Sequence, residues 1–286
     1  MADFDLAVVG GGIIGAGIAR DAAGRGILTV LVEQDDLAAA TSGTTLIHGG
    51  LRQLRRSAFA RMRQMAADCE VLLRIAPHLV RPLRLVLPHH EGLLPPWQWQ
   101  LRLLLHDWLC GQTLLPGSCM VDLSHGDAGV PLKRRFRIGF EFSGCRVDNT
   151  RLVILTACDA AERGALILTR TRLVRADREG PVWRLALNAR GHRRTVTARV
   201  LVNASGPWVT EVMERVIRVA NPVRTRLVKA SHIVVPRLFD HDRAYMFHNR
   251  DGRVVYAVPY ERDFTLIGPA EVAWDGHPAA VAVEPD

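Results

Sequence analysis

A glycine-rich run and a carboxylate near the amino terminus have the spacing of a dinucleotide site. Gly10-Gly11-Gly12-Ile13-Ile14-Gly15 directly follows the apolar run Phe4 to Val9, and apolar residues then recur at helical spacing through Ala23. This order predicts a strand, a tight turn and a helix whose amino terminus binds a pyrophosphate. Glu33 ends a second predicted strand, Ile27 to Val32, where a carboxylate accepts hydrogen bonds from a ribose and repels the 2′-phosphate of NADP. The predicted cofactor-binding residues here are Gly10, Gly12, Ile13, Gly15 and Glu33.

A single histidine is the second residue type that could do chemistry. His232 lies in the segment Arg226 to Pro236, whose second half is apolar and predicts a strand. An imidazole changes charge near neutral pH, so it can accept a proton from a substrate hydroxyl. A lone histidine on an apolar strand is more often a hydrogen-bonded core residue. The spacing alone therefore leaves both roles open.

Composition restricts the class of protein and the kind of partner. The 286 residues are 48% hydrophobic and 23% charged, which suits one or two globular domains. Residues 1–50 carry a net charge of −4 and the rest +12. The basic part favours anionic partners: a phosphorylated substrate, acidic lipid head groups or nucleic acid. Five scattered cysteines without a C-x-x-C pair indicate neither a disulfide framework nor a zinc site, and we expect reduced packing residues.

Further segments resemble one family of flavoproteins. Asp36 to Ser42 followed by Leu46-Ile47-His48-Gly49-Gly50-Leu51-Arg52 is similar to the segment beneath the flavin in the membrane-associated, FAD-dependent glycerol-3-phosphate dehydrogenases. Val200 to Trp208, with Asn-Ala-Ser-Gly-Pro-Trp, and Lys229-Ala230-Ser231-His232-Ile233 resemble two other motifs of that family. The loop Gly43-Thr44-Thr45 is about two residues shorter than in the family.

The resemblance implies FAD as cofactor and names further residues that would bind it. They are Thr41, Ser42, His48, Gly49, Gly50, Val174, Ala204, Ser205, Gly206 and Trp208. It also implies oxidation of sn-glycerol 3-phosphate to dihydroxyacetone phosphate, with electrons passing to quinone. Arg52 would then anchor the substrate phosphate, because a guanidinium pairs bidentately with phosphate oxygens. His232 would take the hydroxyl proton.

The middle of the chain contributes helices and no nucleic-acid motif. Arg55 to Leu73 has helical period, and its arginines read as a solvated face without the aromatic interleaving that nucleic-acid binding needs. Pro95 to Leu109 is an amphipathic helix with three tryptophans, which favours either the head-group layer of a membrane or packing in a core or homodimer. We expect a protein of the cytoplasm, or one that is peripheral on the inner face of the cytoplasmic membrane, and no metal.

The expected fold is α/β. A Rossmann-like FAD-binding domain, with helices on both faces of a parallel sheet, would comprise 1–75 and 140–215, and a β-rich substrate or cap domain 76–139 and 216–286. Ala157 to Arg163 predicts a helix, Leu166 to Val174 a strand, and Trp183 to Arg199 a β-hairpin. The family's members are longer, so the resemblance covers an amino-terminal portion, and the carboxyl-terminal part of the fold is expected to be missing.

Other functions are compatible with the same motifs. An amino-acid or amine oxidase of the same superfamily would use Arg52 to bind a carboxylate. A non-catalytic remnant would bind FAD weakly or not at all. A soluble NAD dehydrogenase would show nicotinamide-linked activity without flavin.

Overall fold

The structure is a computed structural model that describes residues 2–40, 46–47, 59–110, 114–249 and 251–282. Within those residues the chain divides into two compact units. The described residues of 1–43, 148–227 and 274–282 form the first unit, and those of 44–147 and 228–273 form the second. The strands are β1 (Phe4–Val9), β2 (Thr29–Val32), β3 (Leu46–Ile47), β4 (Val80–Pro88), β5 (Cys119–Asp122), β6 (Ile138–Val147), β7 (Leu166–Leu168), β8 (Thr171–Glu179), β9 (Val182–Ala189), β10 (His192–Asn203), β11 (Leu227–Pro236), β12 (Ala244–His248), β13 (Val254–Tyr260) and β14 (Phe264–Trp274).

The described residues form fewer helices than strands. The helices are α1 (Ile13–Gly24), α2 (Phe59–Ile75), α3 (Pro96–Cys110), α4 (Asn149–Glu162) and α5 (Val209–Glu211), which continues as a π-helical segment Val212–Ile217, with 3-10 turns at Asp127–Gly129, Gly206–Trp208 and Pro278–Ala280. No helix of the described residues is long and apolar enough to cross a membrane.

The first unit is built on a six-stranded sheet in the order β7-β2-β1-β10-β9-β8. The four neighbouring strands β7, β2, β1 and β10 are parallel. β9 and β8 extend this sheet with antiparallel pairing. The alanine-rich faces of α1 and α4 pack on one side of β2, around Leu31. Val30, Val32 and Val216 of the π-helical segment form a core on the other side. Helices on both faces of a parallel sheet are thus present, as the sequence predicts.

The second unit is β-rich. Its sheet runs β11-β14-β13-β12-β4-β6-β3, with β5 also paired to β6. The long β4–β6 pair and β12 and β13 bury the largest side chains, including Phe140, Phe142 and Met246, and the inner face of α3 covers them with Trp99 and Leu103. A β-rich unit interleaved in the chain with an α/β unit agrees with the predicted fold class.

The unit boundaries differ from the predicted domain boundaries at residues 75, 140 and 215, and residues 274–282, predicted for the cap domain, belong to the first unit. Residues 44–75 belong to the second unit, because β3 pairs with β6 and α2 packs against α3 and β4. The residues before Asp148 also stay with that unit, because β6 continues to Val147. These boundaries depend on strand pairing over long sequence separations, which local patterns do not contain.

Two local predictions need correction. The single strand predicted from Leu166 to Val174 is two strands, since Arg170 adopts a left-handed backbone (φ 49°) between β7 and β8. The expectation that all cysteines are reduced packing residues is wrong. Cys69 of α2 and Cys145 of β6 form a disulfide, 76 residues apart in sequence, while Cys119 and Cys158 are free but exposed.

A buried carboxylate ties together several segments of the second unit. Glu141 of β6 has a side chain only 10% exposed and lies 2.8 Å from Arg84 Nε and 3.4 Å from Arg243 Nε. The same Arg84 guanidinium donates to the carbonyls of Pro116 and Gly117. An ion pair removed from water depends on both partners, because either charge alone would be left without a counter-ion.

We expect Glu141→Gln to lower the free energy of unfolding by roughly 2–4 kcal/mol, since two arginines lose their counter-ion while Arg84 keeps some contact with water. The matched control is Glu179→Gln, which breaks an exposed pair with Arg184 and should cost less than about 1 kcal/mol. Urea unfolding of both variants measures the difference. Equal costs would contradict a structural role for the buried pair.

Candidate cofactor site

The glycine run folds as a tight turn between β1 and α1. The N–H of Gly10 donates to the carbonyl of Val32 at 2.9 Å, and Gly10 has a φ of 112°, which side chains rarely allow. A Cβ on Gly10 would lie 2.4 Å from the carbonyl oxygen of Ala204, and one on Gly15 would lie 1.8 Å from the carbonyl oxygen of Gly10. At these two glycines, α1, β1 and the residue after β10 therefore contact one another through backbone atoms.

Gly12 has a different environment. It is the N-cap of α1, and no atom lies within 4 Å of the position that a Cβ would take. No side chain caps the helix there, so the first N–H groups of α1 face an open space with the positive end of the helix dipole. This is the geometry that a phosphate or pyrophosphate requires.

Glu33 holds the turn in place. Its Oε2 accepts a hydrogen bond from the N–H of Gly11 at 2.6 Å and its Oε1 accepts one from the N–H of Asp35 at 2.9 Å. A carboxylate has about four acceptor positions, so both oxygens can still accept a bond from a ribose hydroxyl. The sequence predicted the ribose contact but not the bond to Gly11, which makes the carboxylate part of the turn itself.

These residues surround a cavity of about 320 Å³ within the first unit. That volume is at the lower end of the usual range for ligand pockets, about 300–1,000 Å³. The carboxyl ends of β1 and β2 and the residues just after β10 line the cavity, and parallel sheets bind ligands at these ends of their strands. Its predicted members are Gly10, Gly12, Ile13, Glu33, Ala204, Ser205, Gly206 and Trp208.

The family resemblance implies that main-chain groups of Arg172 to Val174 lie near the adenine, but it does not imply the side-chain contacts of this wall. Arg172 of β8 lies in the wall, with its guanidinium 3.3 Å from Glu211 Oε1, and the other oxygen of Glu211 is 3.0 Å from His277 Nε2. Val212 and Val216 complete the apolar side. These contacts join residues 39 and 66 positions apart, so no local motif indicates them.

The remaining predicted cofactor residues fall into two groups. Gly15 lies beneath the turn and not in the cavity wall, and Val174 sits at the irregularity of β8 beside Arg172 and Leu173, which do line the cavity. Several lie outside the described residues, and their predicted contacts stay predictions. They are Thr41, Ser42, His48, Gly49 and Gly50, and the predicted substrate anchor Arg52 also lies outside the described residues.

His232 belongs to the second unit, on β11. Its imidazole packs against Gly268 of β14, where a Cβ would lie 2.5 Å from the His232 Cδ2. The Nε2 atom is buried and has no hydrogen-bond partner among the described residues. Burial lowers the pKa of His232 below its ordinary value, so the ring is neutral at pH 7 and Nε2 or Nδ1 can accept a proton.

Comparison with known proteins agrees with the fold and the cofactor. The family model for DAO, the FAD dependent oxidoreductases, matches residues 5–286. The chain belongs to this family. FAD is the family's cofactor, and the turn at Gly10 to Gly15, the open N-terminus of α1 and Glu33 fit its dinucleotide end.

Individual relatives are similar over nearly the whole chain. A D-erythritol 1-phosphate dehydrogenase of Brucella abortus is 46% identical over 98% of this chain and 57% of its own length. A glycerol-3-phosphate dehydrogenase of Pseudomonas aeruginosa is also 46% identical, over 98% of this chain and 55% of its own. A Bacillus halodurans glycerol-3-phosphate dehydrogenase, solved in complex with FAD, is 26% identical with a TM-score of 0.71, covering 98% of this chain and 50% of that one. The chain thus spans about half the length of the relatives it matches.

Two glycines of α1 provide a test of the turn. We expect Gly15→Ala to lower the free energy of unfolding by roughly 1–3 kcal/mol and to abolish FAD retention, because its Cβ has no room beside the Gly10 carbonyl. Gly17→Ala, two residues along the same helix, has no atom within 4 Å of the new Cβ and should gain about 0.5–1 kcal/mol. Denaturant unfolding and flavin absorbance measure both effects. Full FAD binding by Gly15→Ala would show that the close contact does not shape the site.

Proposed function

We propose that this chain forms the FAD-binding portion of an enzyme that oxidises sn-glycerol 3-phosphate to dihydroxyacetone phosphate. The observation that carries the proposal is the 46% identity to the Pseudomonas aeruginosa glycerol-3-phosphate dehydrogenase over 98% of the chain, which includes the Ser231-His232 segment. The reaction converts a secondary alcohol into a ketone and removes two electrons and two protons. When bound, FAD supplies the acceptor for the hydride.

His232 is the proposed base. The neutral imidazole accepts the hydroxyl proton of the substrate as the carbon gives up its hydride, and its unpaired Nε2 gains the hydrogen bond it lacks. The contact with Gly268 supports this role. The ring lies where a side chain at position 268 would lie, so the glycine gives the imidazole room against β14 and holds its orientation. Arg52 remains the proposed anchor of the substrate phosphate.

A second substrate is favoured by an equally similar relative. The Brucella abortus dehydrogenase, whose name gives D-erythritol 1-phosphate as substrate, matches this chain at the same 46% identity. Both substrates are polyol phosphates with a secondary alcohol, and they differ by one carbon and one hydroxyl. Pro269 and Ala270 follow Gly268, which contacts His232, and they stand where the glycerol-3-phosphate family that the sequence resembles has two threonines, so two hydroxyl donors are absent beside the proposed base.

Anaerobic mixing of the FAD-loaded protein with glycerol 3-phosphate, D-erythritol 1-phosphate and a panel of amino acids tests the assignment. We expect the flavin absorbance to bleach with one of the two phosphates and the rate to fall as the pH drops through the lowered pKa of His232, because protonation removes the base. His232→Gln should slow bleaching by roughly 10²–10⁴-fold, whereas His125→Gln, at an exposed surface position, should not. Bleaching with amino acids alone would support an amino-acid oxidase, and a protein that stays colourless with added FAD would support a non-catalytic remnant.

We also propose that the protein binds peripherally to a membrane and passes electrons to quinone there. Helix α3 supports the membrane contact, because one face of it is apolar and exposed. Trp97, Leu101, Leu104 and Trp108 recur there every three or four residues, and with Leu105 they are between 40% and 78% exposed. Aromatic residues of this kind lie at the level of lipid head groups. A membrane-bound enzyme can reach an acceptor that is dissolved in the lipid.

Sedimentation with phospholipid vesicles tests this surface. Trp97→Ser with Trp108→Ser should reduce the bound fraction severalfold, while Val223→Ser, an equally exposed apolar residue, should leave it unchanged. Reoxidation of the reduced flavin by a short-chain quinone, compared with oxygen, tests the acceptor. If the tryptophan variant instead converts a homodimer into a monomer with no effect on vesicle binding, the face is a subunit interface.

A further inference from the structure

A second cavity lies within the second unit and includes neither His232 nor any residue of the cofactor cavity. It is larger, about 830 Å³, and three segments form it: the loop after β4, residues 131–136 before β6, and the end of β12. Lys133, Arg135 and Asn249 supply polar groups, Phe136 and Phe247 an apolar side, and Glu91 the single lining carboxylate. Its volume falls within the range of small-molecule sites.

The charge around this cavity is strongly one-sided. Lys133, Arg134, Arg135 and Arg137 stand within five residues, and no acidic residue occurs between Asp127 and Glu141. The side chains of these four cations form no ion pair with any residue that the structure describes. Glu141, the next carboxylate along the chain, is already engaged by Arg84 and Arg243. The loop therefore keeps its positive charge uncompensated beside a concave surface, which raises the local concentration of anions.

Several contacts hold the walls in a defined shape. Arg135 is placed with its Cζ 5.0 Å from the centre of the Phe136 ring, a cation–π contact that orients the guanidinium. The N–H of Phe136 donates to the Lys133 carbonyl at 3.0 Å, which closes a turn around the two arginines between them. His90, which also lines the cavity, is fixed at both nitrogens, because Nδ1 accepts from the N–H of Gly92 and Nε2 donates to the carbonyl of His248. Groups fixed before binding lose less freedom when a ligand arrives.

We propose that this cavity is a second anion site that takes a small molecule carrying a phosphate group. Lys133 and Arg135 would bind the phosphate oxygens, since charge-assisted bonds from a guanidinium and an ammonium suit a dianion. The carbon part of the ligand would lie against Phe136 and Phe247. A molecule of this class is also the proposed substrate, yet His232, the proposed base, is not among the residues that line this cavity.

The test uses the full 286-residue chain loaded with FAD and two probes. Inorganic phosphate is titrated by calorimetry, and crystals are soaked in tungstate, a phosphate analogue that anomalous diffraction locates. We expect saturable phosphate binding, with anomalous density between Lys133 and Arg135. Lys133→Ala with Arg135→Ala should weaken phosphate binding at least about tenfold, through the loss of two charge-assisted contacts.

The control variant is Arg193→Ala with Arg194→Ala, which removes the same charge from the exposed hairpin of the first unit. It should change the affinity by less than about twofold, as expected for distant screened charges. An equal loss in both variants would overturn the proposal in favour of general electrostatic attraction. Anomalous density elsewhere but not in this cavity, or binding only to phosphatidylglycerol vesicles and not to free phosphate, would overturn it as well. Because neither probe measures turnover, the result is independent of the reaction that the protein catalyses.

Discussion

The first unit depends on the contact between the backbones of Gly10, Gly15 and Ala204. The carbonyl of Gly10 occupies the space that a side chain on Gly15 would need, and the carbonyl of Ala204 does the same for Gly10. This contact places the amino terminus of α1 beside the carboxyl ends of β1 and β10, and Gly10 and Ala204 line the cofactor cavity there. Close approach of this kind is possible because glycine has no Cβ.

The sequence predicted the parts of the site that are local in the chain. The turn from Gly10 to Gly15 and the carboxylate of Glu33 follow from spacing within about twenty-five residues, and the cavity contains them all except Gly15, which underlies the turn. The hydrogen bond from Gly11 to Glu33 was not predicted, even though the two residues are only 22 positions apart. The dinucleotide motif describes Glu33 as a ligand contact and not as a support of the turn. The ion pair between Arg172 and Glu211 could not be predicted, since it depends on how β8 lies against α5.

The fold shows the same limit. The β1–α1–β2 order and the hairpin of β9 and β10 are visible as apolar periodicity and a glycine turn. The attachment of residues 44–75 to the second unit and the Cys69–Cys145 bond are not, because both depend on pairing with β6, some seventy to one hundred residues later. The resemblance to a flavoprotein family predicted the two-part architecture, while the position of its boundaries came from strand pairing alone.

The pairing of β1 with β10 has a consequence for the order of events during synthesis. The N–H of Asp3 donates to Thr197 Oγ1, 194 residues away, and the parallel register runs from Phe4 to Val9. At about 5–20 residues per second, the ribosome needs roughly 10–40 s to make the partner of the first strand. By then β4 and β6, whose pairing closes a shorter loop, are already complete. β1 can pair with β2 as soon as Val32 has been made, but its other edge must wait for β10, so the contact between Gly10 and Ala204 is among the last of its unit to form.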